Sequence, residues 1–312
     1  MMRSKPIAGR HLGWSEADRA TKPYARFLDP DIQALPDDIR HALDRGPLPE
    51  PLLPALDAAA PSLFGQAAAI GNGFALATDG AMIVAARTDL PGVTPAMIDW
   101  WFGWHSDSPE RYKLWHPSAH VHAAWLSPPP QGTRGRARYI GYTSIVDEYI
   151  GSTLIRAAIR FVEPASLGFA DPSLDDPEQA TIVCARTGLG DLPIDVGYLA
   201  HHVRRTAGGS EMRSRFWIGG PYAAGREQCA RNSHGAGGAP LDAAERDRRT
   251  RSLGPLRRGN AAFGAISTGA LRRIPAAGLE RGDFSSNRHV ALAICLRMIF
   301  PENRVPLFGI ML

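Results

Sequence analysis

Cysteine is scarce in this 312-residue chain: Cys184, Cys229 and Cys295 lie far apart, with no CxxC pair. That excludes a disulfide framework and an all-cysteine zinc site, and it fits a reducing compartment. Long apolar runs are also missing. The stretch ALAICLRMIF carries Arg297 and is well short of the ~20 residues a membrane-spanning helix needs. The N-terminal MMRSKPIAGRHLGW has no apolar stretch of signal-peptide type. The expectation is a cytoplasmic protein with no membrane partner. No GxSxG elbow is present to support a serine-hydrolase triad. The glycine-rich stretches GTRGRARYIG and HGAGGA lack the spacing and the Lys-Ser/Thr of a phosphate-binding loop.

A net positive charge is missing from most of the chain. The formal net charge of +4 arises entirely in residues 223–312, which hold 14 Arg against 7 Asp and Glu, while residues 1–222 are net negative. That basic tail has no Trp and no Tyr. A nucleic-acid surface interleaves basic residues with aromatics, so no nucleic-acid partner is expected.

Turn signals and apolar spacing divide the remainder. Residues 1–70 are rich in Pro and Asp, with one short helix in DDIRHALDRG, stopped by glycine, and otherwise an extended arm. Such an arm needs another surface to lie on, which suggests a dimerisation segment. Residues 72–92 read as two short strands around an Asp-Gly turn. Thr94 then caps a helix that opens on Pro95. Residues 136–150 and 179–188 read as strands, and 197–218 as a hairpin turning at Ala207-Gly208-Gly209. Several strands and few helices, without regular β-α alternation, predict an α+β fold. The central domain is set at 71–222. Residues 223–280, rich in Arg, Gly and Ala, show no period, and 281–312 hold one last helix.

What the chain has in excess is tryptophan. Five of its seven fall within 26 residues, Trp100, Trp101, Trp104, Trp115 and Trp125, among His105, His116, His120 and His122. Large apolar rings beside imidazoles suggest a pocket wall with a polar or metal-bearing centre. His116 and His120 are four apart, but Pro117 intervenes and HExxH is not matched, so a zincin helix is poorly supported. Each histidine reads either as a ligand or as a hydrogen-bonded wall residue. Asp147 and Glu148 are neighbours in an apolar strand, so one of them faces the interior, unless the strand is an edge with both acids solvated. His201-His202 is a second pair on a strand, offering either a general acid/base or a packed core histidine. Glu211, Arg213 and Arg215 alternate along their strand and read as a solvated charged face with structural ion pairs.

Four blocks together, PGVTPAMIDWWFGWH, RYKLWHPSAH, IVDEYIG and HHVRRTAGGSEMRSRFW, resemble the diacetylphloroglucinol hydrolase family, which includes phloretin hydrolase. The similarity runs from about residue 20 to about residue 220. The resemblance implies a helix-grip (START-like) fold, a curved antiparallel sheet around a long C-terminal helix, with an N-terminal segment supporting a homodimer. It implies zinc-dependent hydrolysis of the carbon–carbon bond between an acyl group and a phenolic ring, with an acylphenol as the small-molecule partner.

Residue by residue, the first zinc ligand matches His120 and the second Glu148. Tyr112 matches the position that contacts the phenolic ring. His201 best matches the catalytic histidine, with His202 as the alternative. Trp100, Trp101, Trp104 and Trp115 are expected to form the aromatic wall. The family's final ligands are a His-xxx-Glu pair on the C-terminal helix. Only His289 is a candidate here, and Ala293 stands where the glutamate belongs. The tail from about 223 does not resemble the family, and a shift of reading frame near 225–235 is one reading of that break. Two alternatives therefore stand beside the enzyme: a non-catalytic aromatic-binding protein, and an enzyme inactivated by its altered C-terminus.

Overall fold

The computed structural model describes residues 10–30, 36–65, 70–150, 153–190 and 192–225. In chain order these form helices α1 (Glu16–Thr21), α2 (Asp37–Arg45) and α3 (Ala60–Phe64), strands β1 (Gly73–Leu76) and β2 (Ala81–Pro91), then helices α4 (Pro95–His105) and α5 (Pro109–Trp115). Strands β3 (His120–Trp125), β4 (Thr143–Ile150), β5 (Thr153–Val162), β6 (Ala180–Leu189), β7 (Ile194–Thr206), β8 (Gly209–Gly219) and β9 (Ala224–Gly225) follow.

Alternation along the long strands decides the architecture. Val84 and Ala86 of β2, Val183 and Ala185 of β6, Leu199 and Val203 of β7 and Phe216 of β8 share one buried cluster with Ile98, Trp101 and Phe102 of α4 and Leu114 and Trp115 of α5. Their neighbours Ile83, Ala85, Ile182, Cys184, Ala200 and Trp217 belong to a second cluster with Leu53, Ala59 and Leu63 of the N-terminal segment. A period of two thus sends successive side chains into different layers, and the sheet is covered on both faces. Each large side chain so buried contributes roughly 1.5–3 kcal/mol.

The strands form one antiparallel sheet in the order β1-β2-β8-β7-β6-β5-β4-β3, with β9 pairing β7. Helices α4 and α5 lie in the crossover from β2 to β3, between strands at opposite parts of the sheet, and so lie over one face. The α+β class is as expected, as are the first hairpin, the Thr94 cap with its hydroxyl accepting from Met97 N–H and the β7–β8 hairpin. The surface on which the N-terminal segment lies is the chain's own: the sheet for Leu53, Ala59 and Leu63, and helices α4 and α5 for Trp14 and Tyr24. Helix α1 within that segment was not expected from the sequence; Ser15 and Asp18 build a capping box at its start. Strands β3 and β5 and helix α5 were likewise not foreseen. The expected C-terminal helix, the 223–280 segment beyond residue 225, and His289 lie outside the described residues.

Candidate active site

A cavity, part of it open to solvent, lies between the sheet and helices α4 and α5. Phe102, Trp115, Val146, Ile159, Phe161, Leu199 and Phe216 make most of its wall apolar, and His105, Tyr112, His120, Glu148 and His201 supply polar groups.

Strand register places the histidine and the carboxylate. His120 pairs with Glu148 across β3 and β4, whereas His122 pairs with Asp147, so the register shifts between them. The shift accommodates Val121 as an extra residue. A β-bulge of this kind re-aims a side chain, and here it brings His120 to the face shared by Ala123 and Val146. Glu148 points to the same face. Asp147 points to the other, where Arg10 and Arg156 pair with it. Residues His116 and His120 do not share a helix: α5 ends at Trp115, and His120 opens β3.

Tyr112 completes the group. Its hydroxyl donates to Glu148 Oε2 at 2.6 Å. Its ring lies flat on the His120 imidazole, with centroids 3.6 Å apart and planes 1° from parallel. The backbone carbonyl of Tyr112 accepts from His120 Nδ1 at 2.8 Å. A carbonyl can only accept, so Nδ1 carries the proton and Nε2 carries the lone pair. His120 Nε2 lies 3.6 Å from Glu148 Oε2. Glu148 Oε1 is buried with no hydrogen-bond partner among the described residues.

Burial drives both groups toward neutrality. It raises the Glu148 pKa, an effect the Tyr112 hydrogen bond opposes. Burial is also the main cause that holds His120 well below the usual imidazole value. Tyr112 is pushed well above its ordinary value, first by burial and then by Glu148, so it keeps its proton. An imidazole lone pair facing a buried carboxylate with one orphaned oxygen is a donor pair suited to a divalent cation, whose charge would offset the desolvation. Among the described residues no group of three His, Cys, Asp or Glu could hold a metal, so the pair supplies two ligands and no third.

His201 and His202 are resolved by the strand pleat. His201 lines the cavity, its Nδ1 2.8 Å from Ser214 Oγ and its ring stacked on Phe102. His202 faces the opposite layer, where Nδ1 donates to the Leu63 carbonyl at 3.0 Å. Burial pushes its pKa down to about 4.

The tryptophans separate. Trp115 lines the cavity. Trp101 is fully buried behind it, with rings stacked 5.5 Å apart. Trp100 and Trp104 stack on each other at 5.0 Å outside the cavity lining, and Trp104 meets Tyr24 of the N-terminal segment edge-on. They contribute to packing rather than to the wall. Glu211 bonds Arg204 and Arg213 and pairs with Arg87, the ion pairs expected, but Glu211, Arg213 and Arg215 are buried rather than solvated, because the N-terminal segment covers this face and Arg213 donates to the Leu63 and Gly65 carbonyls. Among the polar residues at the site that went unassigned in the sequence are His105, which lines the cavity and whose signal was its place one helical turn after Trp101, and Ser214, whose pairing with His201 only the β7–β8 register reveals.

The sequence profile of the DAPG hydrolase PhiG domain matches residues 53–249. The chain belongs to the DAPG hydrolase family. Its similarity to 2,4-diacetylphloroglucinol hydrolase from a Pseudomonas species is 30% identity, covering 66% of this chain and 71% of that one. With phloretin hydrolase from Eubacterium ramulus it is 31% identical, over 63% of this chain and 72% of the relative. The profile match begins within the N-terminal segment and extends past residue 223, where the change of composition had set the boundary. Among solved structures, Ara h 8.0201 aligns over 62% of this chain and 99% of its own, at 13% identity and a TM-score of 0.28. No helix among the described residues is long and apolar enough to cross a membrane.

Proposed function

We propose that this member of the DAPG hydrolase family is a zinc-dependent hydrolase that cleaves the carbon–carbon bond between an acyl group and a phloroglucinol-type ring. The observation that carries the reading is the Tyr112–Glu148–His120 group set in an apolar cavity, with His201 on the same wall. Relatives of this chain bear the names 2,4-diacetylphloroglucinol hydrolase and phloretin hydrolase.

Water adds to the acyl carbon. The bond to the ring then breaks, its electron pair goes to the ring carbon, and a proton replaces the acyl group. The products are a carboxylic acid and the deacylated ring. A polyhydroxylated ring delocalises the departing electron pair, which is why the substrate is an acylphloroglucinol rather than a simple aryl ketone. His120 and Glu148 would hold zinc, which when bound supplies Lewis acidity and lowers the pKa of water toward 7.

The other roles belong to the chain itself. His201, oriented through Nδ1 by Ser214, carries the proton to the ring carbon. Tyr112 directs its own proton at Glu148 in a hydrogen bond, so its oxygen accepts from a ring hydroxyl and fixes the ring. Phe102, Trp115 and Phe216 exclude bulk water and hold the flat ring.

The test is to load the purified protein with zinc, add 2,4-diacetylphloroglucinol and follow the products by NMR. Acetate and a deacylated ring in equal amounts support the proposal; an unchanged substrate rejects it. The pairing of only two metal-type ligands among the described residues, with Ala293 where the family has glutamate, favours one competing reading: a protein that binds such aromatics without turning them over. Binding without product formation would select it. The homodimer forms part of the proposal on the family resemblance alone, and the mass in solution by light scattering tests it.

A further inference from the structure

The cavity wall is rich in acceptors. Ser106 Oγ donates to the Phe102 carbonyl at 2.6 Å, Ser144 Oγ to the Ser106 carbonyl at 2.6 Å, and Tyr112 to Glu148. Three hydroxyl protons are thus directed at protein acceptors, and what these groups turn toward a ligand is lone pairs.

His105 belongs to this pattern. It ends α4, is buried, and lines the cavity. Its Nδ1 lies 2.7 Å from the Trp101 carbonyl. Nδ1 therefore carries the proton, and Nε2 is an acceptor. The ring is clamped parallel to Trp101 and Trp115, each 13° from its plane, at 5.0 and 5.9 Å. The direction of Nε2 is therefore fixed by packing. His105 joins no group of three metal-type side chains among the described residues, and an imidazole acceptor in the cavity lining can take a proton from a ligand.

We propose that His105 is a specificity-determining residue whose Nε2 accepts a hydrogen bond from a free ring hydroxyl of the substrate, so that the site rejects O-alkylated acylphenols. The inference deepens the proposed function and rests on the same cavity. An ether oxygen brings no proton, so at this position it leaves a buried nitrogen facing an oxygen, both of them acceptors. A site built around a substrate hydroxyl rejects the analogue lacking it far more strongly than an apolar wall rejects an added methyl group.

The experiment measures equilibrium binding, by quenching of tryptophan fluorescence, and turnover side by side. The probes are 2,4-diacetylphloroglucinol and each of its mono-O-methyl ethers, added to the purified full chain loaded with zinc. Wild type should bind the free phenol about 10- to 100-fold more tightly than the ether blocked at the contacted hydroxyl. His105→Phe keeps a stacked ring but no acceptor, and should bring that ratio close to one by weakening the free phenol. His105→Gln places a carbonyl oxygen near the position of Nε2 and should restore part of the ratio, which a purely structural role for the imidazole would not do. Circular dichroism confirms folding of both variants. A wild-type ratio of one for every ether, or an unchanged ratio in His105→Phe, overturns the inference. Loss of turnover on all probes with the binding ratio intact rejects the hydrolase reading and leaves the role of His105 standing.

Discussion

The Tyr112 hydroxyl donates to Glu148 Oε2 at 2.6 Å, so one side chain both satisfies one oxygen of a buried carboxylate and turns an oxygen lone pair toward the cavity. The hydrogen bond is also what restrains the rise of the Glu148 pKa. Tyr112→Phe should therefore raise that pKa further and leave the carboxylate less well satisfied. Urea unfolding should show a loss of about 1–3 kcal/mol, and hydrolysis should fall by about 100-fold. A variant with unchanged stability and turnover would contradict the role given to this pair.

Metal binding has its own readout. Wild type, dialysed against zinc and analysed for elemental content, should hold close to one zinc per protomer. His120→Ala and Glu148→Ala should each weaken that binding by more than the roughly 10- to 100-fold that loss of an outer hydrogen-bond partner costs. Retention of stoichiometric zinc by His120→Ala would exclude it as a ligand.

Acid should weaken the fold through buried histidines. Burial lowers the pKa of both His105 and His202 from 6.5 to about 4. Between those values the unfolded chain binds more protons than the native one, so stability rises with pH in that window and is lost as pH falls through it. Each histidine should remove about 2 kcal/mol between pH 7 and pH 5. His202 faces away from the cavity, so His202→Phe should flatten this dependence in urea titrations while activity at pH 7 stays within about threefold. A slope equal to wild type would show that His202 does not contribute.

The tryptophans divide by position. Trp115→Phe should raise KM for an acylphloroglucinol several-fold, because Trp115 lines the cavity. Trp100→Phe should leave KM unchanged and cost stability, because Trp100 packs against Trp104. Steady-state kinetics on the two variants checks the assignment; equal effects on KM would refute it.

Much of this arrangement was legible in the residues. Thr94-Pro95, the Asp79-Gly80 turn and Ala207-Gly208-Gly209 have local causes, and these elements stand where the sequence places them. Helix α4 shows where local pattern stops informing. It is apolar nearly all round, because the sheet covers one side and the N-terminal segment another, so its spacing could not say which tryptophans meet the cavity. The orientation of His120 was hidden for a different reason. It depends on an extra residue in β3 that appears only when β4 is laid beside it, and no periodicity within HVHAAW reveals the shift. The choice between His201 and His202 needed the register of β7 against both neighbours. His105 was visible as one histidine among four, but its significance comes from the stack that fixes its ring.

The most direct measurement is hydrolysis of 2,4-diacetylphloroglucinol by the zinc-loaded chain in water enriched in oxygen-18, with the released acid analysed by mass spectrometry. The account predicts acetate carrying one labelled oxygen from wild type, and release at least 100-fold slower from His201→Ala. Acetate without label, or no acetate from wild type holding stoichiometric zinc, would contradict it.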